Sequence, residues 1–380
     1  MTESADRPAT RLATRLAFLV AGFGVACWAP LVPFAKNRLL VDNAILGVLL
    51  LCLGMGSMAA MLFTGGLSAR YGSRPIIIVA GLGMALFLPL LLLARTPLEL
   101  GSALFAFGAA LGSLDVAMNI HAIEVERAAQ RPLMSGFHGL YSAGGIGGAT
   151  LITTLLSMHL GTLVSTLICS MLMALMILVA RPRLLRTRQP QAMQWMIIPR
   201  GVVWLLAALA CITFLAEGAV LDWGALFIAG AGLVSVSHSG VGYILFSIAM
   251  TIGRLSGDAV ARHLRDASIL FYGSLVAIAG FVVLILSPWA AVALVGFMVI
   301  GLGASNIVPV LFRQAGVQRV MPIGAAAASI TTAGYAGVLL GPAGIGLIAK
   351  HTGLPAGLWT VAGLLCIVTV AARFAVISRN

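Results

Sequence analysis

Charged residues are scarce in this sequence. Lysine and arginine number 23 and aspartate and glutamate number 11 among 380 residues, so that 9% of the chain is charged. Water-soluble domains carry about a quarter charged residues, and the shortage excludes an ordinary soluble domain. Hydrophobic residues make up 61% of the chain, and its mean hydropathy is +1.08. The composition therefore predicts a protein that lies in a lipid bilayer.

The sequence also lacks the motifs of soluble catalytic and metal sites. Its five cysteines form no Cys-x-x-Cys pair and have no histidine at metal-ligand spacing, which predicts reduced thiols and no metal site. It contains no Gly-x-x-x-x-Gly-Lys-Ser/Thr phosphate loop and no Gly-x-Ser-x-Gly nucleophile motif. We therefore predict neither an enzyme nor an ATP-driven pump, and no cofactor.

Long apolar runs alternate with short polar segments along the whole chain. A membrane-spanning helix needs about 20 consecutive apolar residues, whereas a closed barrel would show short alternating strands. We therefore predict an all-α polytopic membrane protein with twelve transmembrane helices. The predicted spans lie near residues 16–35, 44–68, 75–94, 100–123, 133–158, 161–180, 201–222, 239–261, 268–287, 289–312, 323–349 and 354–376.

The basic residues are distributed unevenly between the predicted loops. If the N-terminus lies inside, only Lys36, Arg38, Arg95 and Lys350 fall in outer loops. Cytoplasmic loops of membrane proteins carry the excess of lysine and arginine, so we predict a bacterial cytoplasmic (inner) membrane with both termini in the cytoplasm. The net charge of +12 then indicates contact with anionic membrane lipids and no nucleic-acid partner.

A polar segment near the middle of the chain divides it into two halves. Residues 181–200, RPRLLRTRQPQAMQWMIIPR, are rich in arginine, glutamine and proline, and they predict a cytoplasmic linker. The predicted domains are an N-terminal six-helix bundle at 1–180 and a C-terminal six-helix bundle at 201–380. We predict a monomer, because a helix bundle of this size can bury a cavity without a partner.

The two halves contain matching segments. LGSLDV at 111–116 aligns with LGASNI at 302–307, and TGGLSARYGSR at 64–74 aligns with SGDAVARHLRD at 256–266. Because six predicted spans separate the matches, both halves enter the membrane in the same direction, which indicates a parallel repeat.

Twelve spans, a parallel repeat and a GGLSARYGSR loop after the second span together resemble the major facilitator superfamily over essentially the whole chain. The family's loop motif reads roughly G-x-L-A-D-R-x-G-R-R. This chain departs from it at Ser68, Ala69 and Ser73, so it lacks the aspartate that the family's motif has at Ala69. The motif is matched at Gly65, Leu67, Arg70, Gly72 and Arg74.

Three further pieces are similar to YbjJ-type bacterial inner-membrane permeases, which are distant relatives of fucose permease. They are GFHGLYSAGG at 136–145, AEGAVLDW at 216–223 and GYAGVLLGP at 334–342. The resemblance implies a fold of two six-helix bundles and secondary active transport by alternating access.

The matched loop predicts a cytoplasmic gate motif that comprises Gly65, Arg70, Gly72 and Arg74, with Arg262 as the repeat partner of Arg70. Gly72 allows a tight turn between two helices, and the arginines can bind carbonyl groups at helix ends. The alternative is that these arginines only set the orientation of the chain.

Two carboxylates within predicted spans are the candidates for proton coupling, namely Asp115 and Glu217. An ionised side chain near the bilayer centre costs at least about 2.5 kcal/mol, so such groups face a cavity, pair or stay protonated. The alternatives are an ion pair of Asp115 with an arginine such as Arg254, and a protonated Glu217 that only packs. Asp222 and Trp223 are predicted as an interfacial pair at the outer end of span seven.

Five further polar residues are candidates for a solute cavity. Asn119 follows Asp115 by one turn, and a histidine and a tyrosine three residues apart can bind a polyol. Arg254 either pairs with Asp258 four residues later or favours an anionic solute. The candidates are Asn119, His138, Tyr141, Arg254 and Asn306. Trp28, which aligns with Trp223, is predicted as a second interfacial residue or a sugar-stacking platform.

These observations predict a secondary active transporter whose partners are a small-molecule solute and protons. The first hypothesis is proton-coupled uptake, a symport, of a sugar-like or polar compound. The alternative is proton-driven efflux of a hydrophobic or amphipathic compound, because GVLLGP at 337–342 resembles an antiporter motif.

Overall fold

The computed structural model describes residues 7–41, 43–186, 198–234 and 240–376. Within these ranges the regular secondary structure is helical. Twelve segments are long and apolar enough to cross a membrane, which confirms the predicted spans and the all-α polytopic fold. Most of the predicted linker, residues 187–197, lies outside the described residues.

The chain groups into two compact units. The first comprises Met1–Gln130 and Leu140–Ile198, and the second comprises Arg131–Gly139 and Pro199–Asn380. The division between Ile198 and Pro199 falls within the segment 181–200 that the sequence predicts as a linker. The sequence did not predict that residues 131–139 group with the second unit.

The first unit contains the helices up to the linker. Its longest helix begins after Thr96, whose hydroxyl accepts a hydrogen bond from the Glu99 N–H at 3.2 Å and so caps the first turn. The helices are α1 (Pro8–Trp28), α2 (Val32–Leu39), α3 (Asn43–Tyr71), α4 (Ser73–Leu93), α5 (Pro97–Ala129), α6 (Met134–Ser157) and α7 (Thr162–Ala180). Helix α6 belongs to the first unit only from Leu140 onward.

The second unit contains the remaining helices. Its predicted tenth span is divided into two helices, which together run from Ala290 to Val317. The helices are α8 (Val202–Gly230), α9 (Val241–His263), α10 (Asp266–Leu286), α11 (Ala290–Ala304), α12 (Ile307–Val317), α13 (Ile323–Thr352) and α14 (Leu354–Ala375).

Helix α8 is longer than predicted, and this changes the position of its two carboxylates. The helix continues to Gly230, eight residues beyond the predicted end of span seven. Glu217 therefore lies near the middle of α8. Asp222 does not lie at a helix end, because two further turns of helix follow it.

Glycines let the helices of each unit approach closely. A Cβ added at Gly144 or Gly148 of α6 would overlap the backbone carbonyl of Leu19 or Phe23 in α1. A Cβ at Gly337 of α13 would similarly meet the backbone of Cys211 in α8. Because lipid supplies no hydrophobic force between helices, close backbone packing is a main source of helix association in a membrane.

We expect Gly144→Ala to destabilise the protein, because its methyl group overlaps a backbone carbonyl, and overpacking costs about 1–3 kcal/mol. Gly147→Ala is the matched control on the same helix, since nothing lies within 4 Å of a Cβ there. Thermal unfolding in detergent should show a lower Tm for Gly144→Ala and an unchanged or higher Tm for Gly147→Ala. Equal Tm values for both variants would contradict this packing account.

Candidate functional site

A break between α11 and α12 shapes the centre of the second unit. The helix stops at Ala304 and resumes at Ile307, and Asn306 between them has φ −107° and ψ 0°. Pro309 has no N–H, so it cannot donate the helical hydrogen bond that the Ser305 carbonyl would otherwise accept. The proline therefore leaves a backbone acceptor open at the break.

Arg254 of α9 uses this acceptor. Its Nε donates to the Ser305 carbonyl at 3.3 Å. Its Nη2 donates to both carboxylate oxygens of Glu217, at 3.3 and 3.4 Å. The side chains of Arg254 and Glu217 are 8% and 17% exposed, so this ion pair is largely buried. The two residues are 37 positions apart in the sequence, on different helices.

The electrostatics of this pair are asymmetric. A guanidinium group stays protonated in proteins, whereas a carboxyl group can exist in both forms. When one partner of a buried pair is removed, the uncompensated charge that remains costs about 3–5 kcal/mol. Glu217 therefore balances a charge on Arg254 that the protein cannot remove by deprotonation.

Asn306 joins the break to α9 beside this pair. Its Nδ2 donates to the Gly253 carbonyl at 2.9 Å and to Ser305 Oγ at 3.0 Å. The assignment of the amide nitrogen follows from these two acceptors. Its Oδ1 has no hydrogen-bond partner among the described residues. Three sequence candidates, Glu217, Arg254 and Asn306, thus lie in one polar cluster.

Asp258 lies one turn after Arg254 and contacts the beginning of α6. Its carboxylate oxygens accept hydrogen bonds from the backbone N–H groups of Ser135, at 3.0 Å, and Gly136, at 2.9 Å. A carboxylate at a helix N-terminus is stabilised by the helix dipole and by unpaired N–H groups. The intrahelical pair of Arg254 with Asp258 stays a prediction.

His138, at the beginning of α6, also groups with the second unit. Its ring lies against Phe312 of α12, with 5.6 Å between centroids, and the residue is 8% exposed. The predicted partner residue Tyr141 is half-buried and groups with the first unit.

Asp115 and Asn119 lie together on α5 in the first unit. Asn119 Nδ2 donates to the Asp115 carbonyl and to Asp115 Oδ1, both at 2.9 Å. Asn119 is 1% exposed, and its Oδ1 lacks a hydrogen-bond partner within the described ranges. The shared helical face is the one that their spacing predicted.

The gate motif residues lie at the junction of α3 and α4 and near the end of α9. Gly72 has φ 84°, a left-handed conformation that favours glycine, and its N–H donates to the Ser68 carbonyl at 2.8 Å. Gly65 is buried in α3, and Arg262 is exposed in the last turn of α9. The glycine turn is the structure that the loop motif predicted.

The two arginines of this motif make different contacts. Arg74 Nε donates to the carbonyl of Arg181, the C-cap residue that follows α7, at 3.1 Å. The Arg70 guanidinium lies over the ring of its neighbour Tyr71, 5.1 Å from the centroid. Arg74 thus makes the type of helix-end contact that the sequence predicted, and its role in gating stays a prediction.

An ion pair that the sequence did not predict lies at the start of α10. Asp266 Oδ1 accepts from Arg313 Nη1 at 2.5 Å, and Asp266 Oδ2 accepts from Gln314 Nε2 at 2.6 Å. Asp266 aligns with Arg74 in the repeat, so the charge at this position is reversed between the halves. This reversal of charge is the sequence feature that could have indicated a different partner for Asp266.

His121 was also missed by the sequence analysis. It is fully buried, its Nε2 accepts the Leu185 N–H at 3.0 Å, and its Nδ1 lies 3.1 Å from the Thr14 hydroxyl. The Thr14 hydroxyl donates to the Thr10 carbonyl at 3.0 Å, so the neutral ring with its proton on Nδ1 satisfies this arrangement. The histidine attaches the segment after α7 to the first unit.

Trp28 does not have its predicted interfacial position. It is 4% exposed, and its indole N–H lacks a partner in the described part of the chain. An interfacial residue would keep its polar edge in contact with the headgroup region. Trp28 is therefore a buried residue of the first unit, and its predicted role as an interfacial residue is wrong.

Comparisons with known proteins agree on one family. A family model described as Major Facilitator Superfamily matches residues 15–342. An uncharacterized MFS-type transporter of Yersinia pestis is 48% identical over 364 residues, which cover 96% of this chain and 95% of that protein.

Solved structures share the fold. A crystal structure of the MFS transporter FucP in the outward conformation has a TM-score of 0.77 and 15% identity, and covers 99% of this chain and 100% of that one. The human organic anion transporter MFSD10 has a TM-score of 0.75 and 15% identity, and covers 96% of this chain and 100% of that one. At these identities the likeness concerns the fold alone.

The ion pair predicts a specific pattern of stability. Glu217→Leu leaves the charge of Arg254 without this partner, so we expect the free energy of unfolding to fall. Adding Arg254→Met removes the buried charge, and the double variant should recover most of that loss. Thermal unfolding in detergent, with both single variants and the double variant, measures the coupling. Strictly additive losses would show that the pair does not interact.

Proposed function

Because the chain belongs to the major facilitator superfamily, a family of multi-pass membrane transporters, we propose that it is a secondary active transporter that takes up a small polar or sugar-like solute together with protons. We propose that the protein lies in the bacterial inner membrane, with both termini in the cytoplasm, and that it acts as a monomer. The halves around the linker at 181–200 would alternate access to the solute. Its partners are the solute, protons and membrane lipids.

The observation that carries this proposal is the buried pair of Glu217 and Arg254. A proton on Glu217 removes the negative charge that balances Arg254, so protonation changes the electrostatics of the second unit. Such a change is what a coupling group must produce for proton binding to alter the preferred state of a transporter.

Asp115 is the second proposed coupling residue. Its Oδ1 accepts a hydrogen bond from Asn119 Nδ2 at 2.9 Å. Its repeat partner Asn306 cannot titrate, so the two halves would contribute different chemistry from one ancestral position. Asn119, His138, Tyr141 and Asn306 are proposed to provide neutral hydrogen bonds to the solute.

Two relatives support coupling to protons by analogy of fold. FucP is described as the fucose:proton symporter of E. coli. XylE is described as a proton:xylose symporter, and it has a TM-score of 0.72 and 13% identity to this chain. These descriptions favour sugar-like solutes and uptake as the first candidates to test.

The efflux alternative depends on the segment GVLLGP at 337–342. Gly337 and Gly341 of this segment lie against Cys211 and Leu215 of α8. Close packing of α13 on α8 is therefore sufficient to account for these glycines. We give priority to uptake for this reason.

The gate proposal rests on two polar contacts at helix ends. Arg74 binds the carbonyl that ends α7, and the Asp258 carboxylate binds the first N–H groups of α6. We propose that these contacts, with Gly65, Arg70, Gly72 and Arg262, hold the cytoplasmic side closed in one state of the cycle.

The proposal predicts loss of coupling in Glu217→Gln and in Asp115→Asn. Proteoliposomes that contain a pH-sensitive dye are exposed to L-fucose, D-xylose, D-gluconate and D-glucuronate, and proton entry is recorded on solute addition. We expect one of these solutes to drive proton entry in the unmodified protein and neither variant to show it.

Glu99→Gln is the control for this experiment. Glu99 is an exposed acid whose Oε2 accepts the Arg95 N–H at 2.7 Å, and its loss should leave coupling unchanged. Solute-driven proton entry that persists in both Glu217→Gln and Asp115→Asn would overturn the assignment of the coupling residues.

A further inference from the structure

Residues 181–186 follow α7 directly and form a strap on the surface of the first unit. Leu184 and Leu185 of the strap are buried, and the Leu185 N–H donates to Nε2 of the buried His121 at 3.0 Å. This hydrogen bond attaches the strap to α5. The strap exposes three positive charges, which belong to Arg181, Arg183 and Arg186.

Arg74, at the start of α4, adjoins the strap. Its Nε donates to the Arg181 carbonyl at 3.1 Å, and the charges of Arg186 and Arg181 both act on it. Like charges that lie close together repel one another, and an anion between them removes this cost. Within the described ranges, no aspartate or glutamate pairs with Arg74 or with the three arginines of the strap. Four arginines therefore share this surface without a carboxylate from the described residues.

The repeat-related position in the second unit carries its own acid. Asp266 aligns with Arg74, and it binds Arg313 and Gln314 of α12. The second unit thus places a carboxylate beside an arginine at the start of α10. In the first unit an arginine stands at the same position, so we expect the balancing anion there to be a ligand.

The start of α4 supplies hydrogen-bond donors for such an anion. Gly72 precedes the helix and offers no side-chain cap, and the helix runs for 21 residues from Ser73. Helix N-termini carry a partial positive charge and bind phosphate groups. The hydroxyls of Ser68 and Ser73, on either side of Gly72, are buried and lack a partner in the described part of the chain. Backbone N–H, hydroxyl and guanidinium groups all donate to phosphate oxygens, so this junction and the strap together suit a phosphate group.

The position of the junction in the membrane indicates the source of the phosphate. The candidate span that contains α4 begins at Ser73, and the one that contains α7 ends at Arg183. The ends of spanning helices lie near the headgroup layer, where aromatic residues such as the exposed Tyr71 are enriched. Basic residues at this level attract anionic lipids of the adjacent leaflet. A lipid phosphate is therefore favoured over a phosphate that is free in solution.

We propose that the strap, Arg74 and the start of α4 bind the headgroup phosphate of one anionic phospholipid, such as phosphatidylglycerol. A phosphatidylcholine headgroup suits the site less well, because its ammonium group adds positive charge beside the arginines. The inference goes beyond the proposed function, since it concerns a lipid site and does not depend on which solute is transported.

Native mass spectrometry of the full-length protein in a neutral detergent counts bound lipids and measures their affinities. Phosphatidylglycerol and phosphatidylcholine with the same acyl chains are the probes, and glycerol phosphate tests for a soluble ligand. We expect the unmodified protein to bind one phosphatidylglycerol more tightly than phosphatidylcholine. Glycerol phosphate at equal concentration should not displace this lipid, because it lacks the acyl chains that hold the headgroup at the membrane surface.

The test variant is Arg181→Gln with Arg186→Gln, which removes two charges and leaves the buried leucines of the strap unchanged. Since each basic residue near the headgroups contributes about fivefold to the binding of an anionic lipid, the affinity for phosphatidylglycerol should fall about 25-fold. Arg265→Gln with Arg319→Gln is the matched control, because it removes the same charge from two exposed arginines of the second unit. The control should bind phosphatidylglycerol as the unmodified protein does, and Tm values in detergent check that both variants are folded.

Four results would overturn the inference. Equal affinities for phosphatidylglycerol and phosphatidylcholine would show that the site does not select an anion. Full affinity in the test variant would show that the strap does not hold the lipid. The same loss in the test variant and the control would show attraction by net charge alone. Displacement of the lipid by glycerol phosphate at equal concentration would identify a soluble phosphate as the ligand.

Discussion

A permanent positive charge inside a membrane-spanning helix is the constraint on which the second unit depends. Arg254 cannot be neutralised by losing its proton, so the surrounding helices must supply acceptors for it. Glu217 supplies a charge, and Pro309 frees the Ser305 carbonyl by removing a helical donor. The break in the tenth span, which by itself weakens a helix, is thereby part of the arrangement that holds Arg254.

The repeat position occupied by Asp115 and Asn306 shows how two related halves diverge. In the first unit, Asp115 lies in a continuous helix and accepts a hydrogen bond from Asn119. In the second unit, Asn306 lies at the helix break and donates to the Gly253 carbonyl. Each unit therefore keeps a polar group at this position, and in the second unit Glu217 supplies a buried acid from α8.

Hydropathy was sufficient to predict the spans, because a bilayer requires every spanning segment to be long, apolar and internally hydrogen-bonded. The turn at Gly72 was also predictable, since the need for a left-handed conformation is local. The ends of helices were less predictable. Helix α8 continues through Asp222 to Gly230, because apolar residues follow the acid.

Partner choice within the site was not predictable. The sequence predicted a possible pair of Arg254 with Asp258, because residues four apart share a helical face, but it did not indicate the contact of Arg254 with Glu217 on another helix. The contacts of Asp266 with Arg313 and of His121 with Leu185 are likewise set by packing between distant segments. Hydrophobic periodicity specifies which face is buried, and it does not specify which polar groups meet there.

The most direct test of this account is to observe the protonation of Glu217 itself. Infrared difference spectra of the reconstituted protein are recorded on acidification, and the spectrum of Glu217→Gln is subtracted to isolate the carboxyl band of this residue. The account predicts that a solute that drives proton entry in proteoliposomes increases the fraction of protonated Glu217 at a given pH, because the solute and the proton bind together. A carboxyl band that is unchanged by this solute, or that is retained in Glu217→Gln, would contradict it.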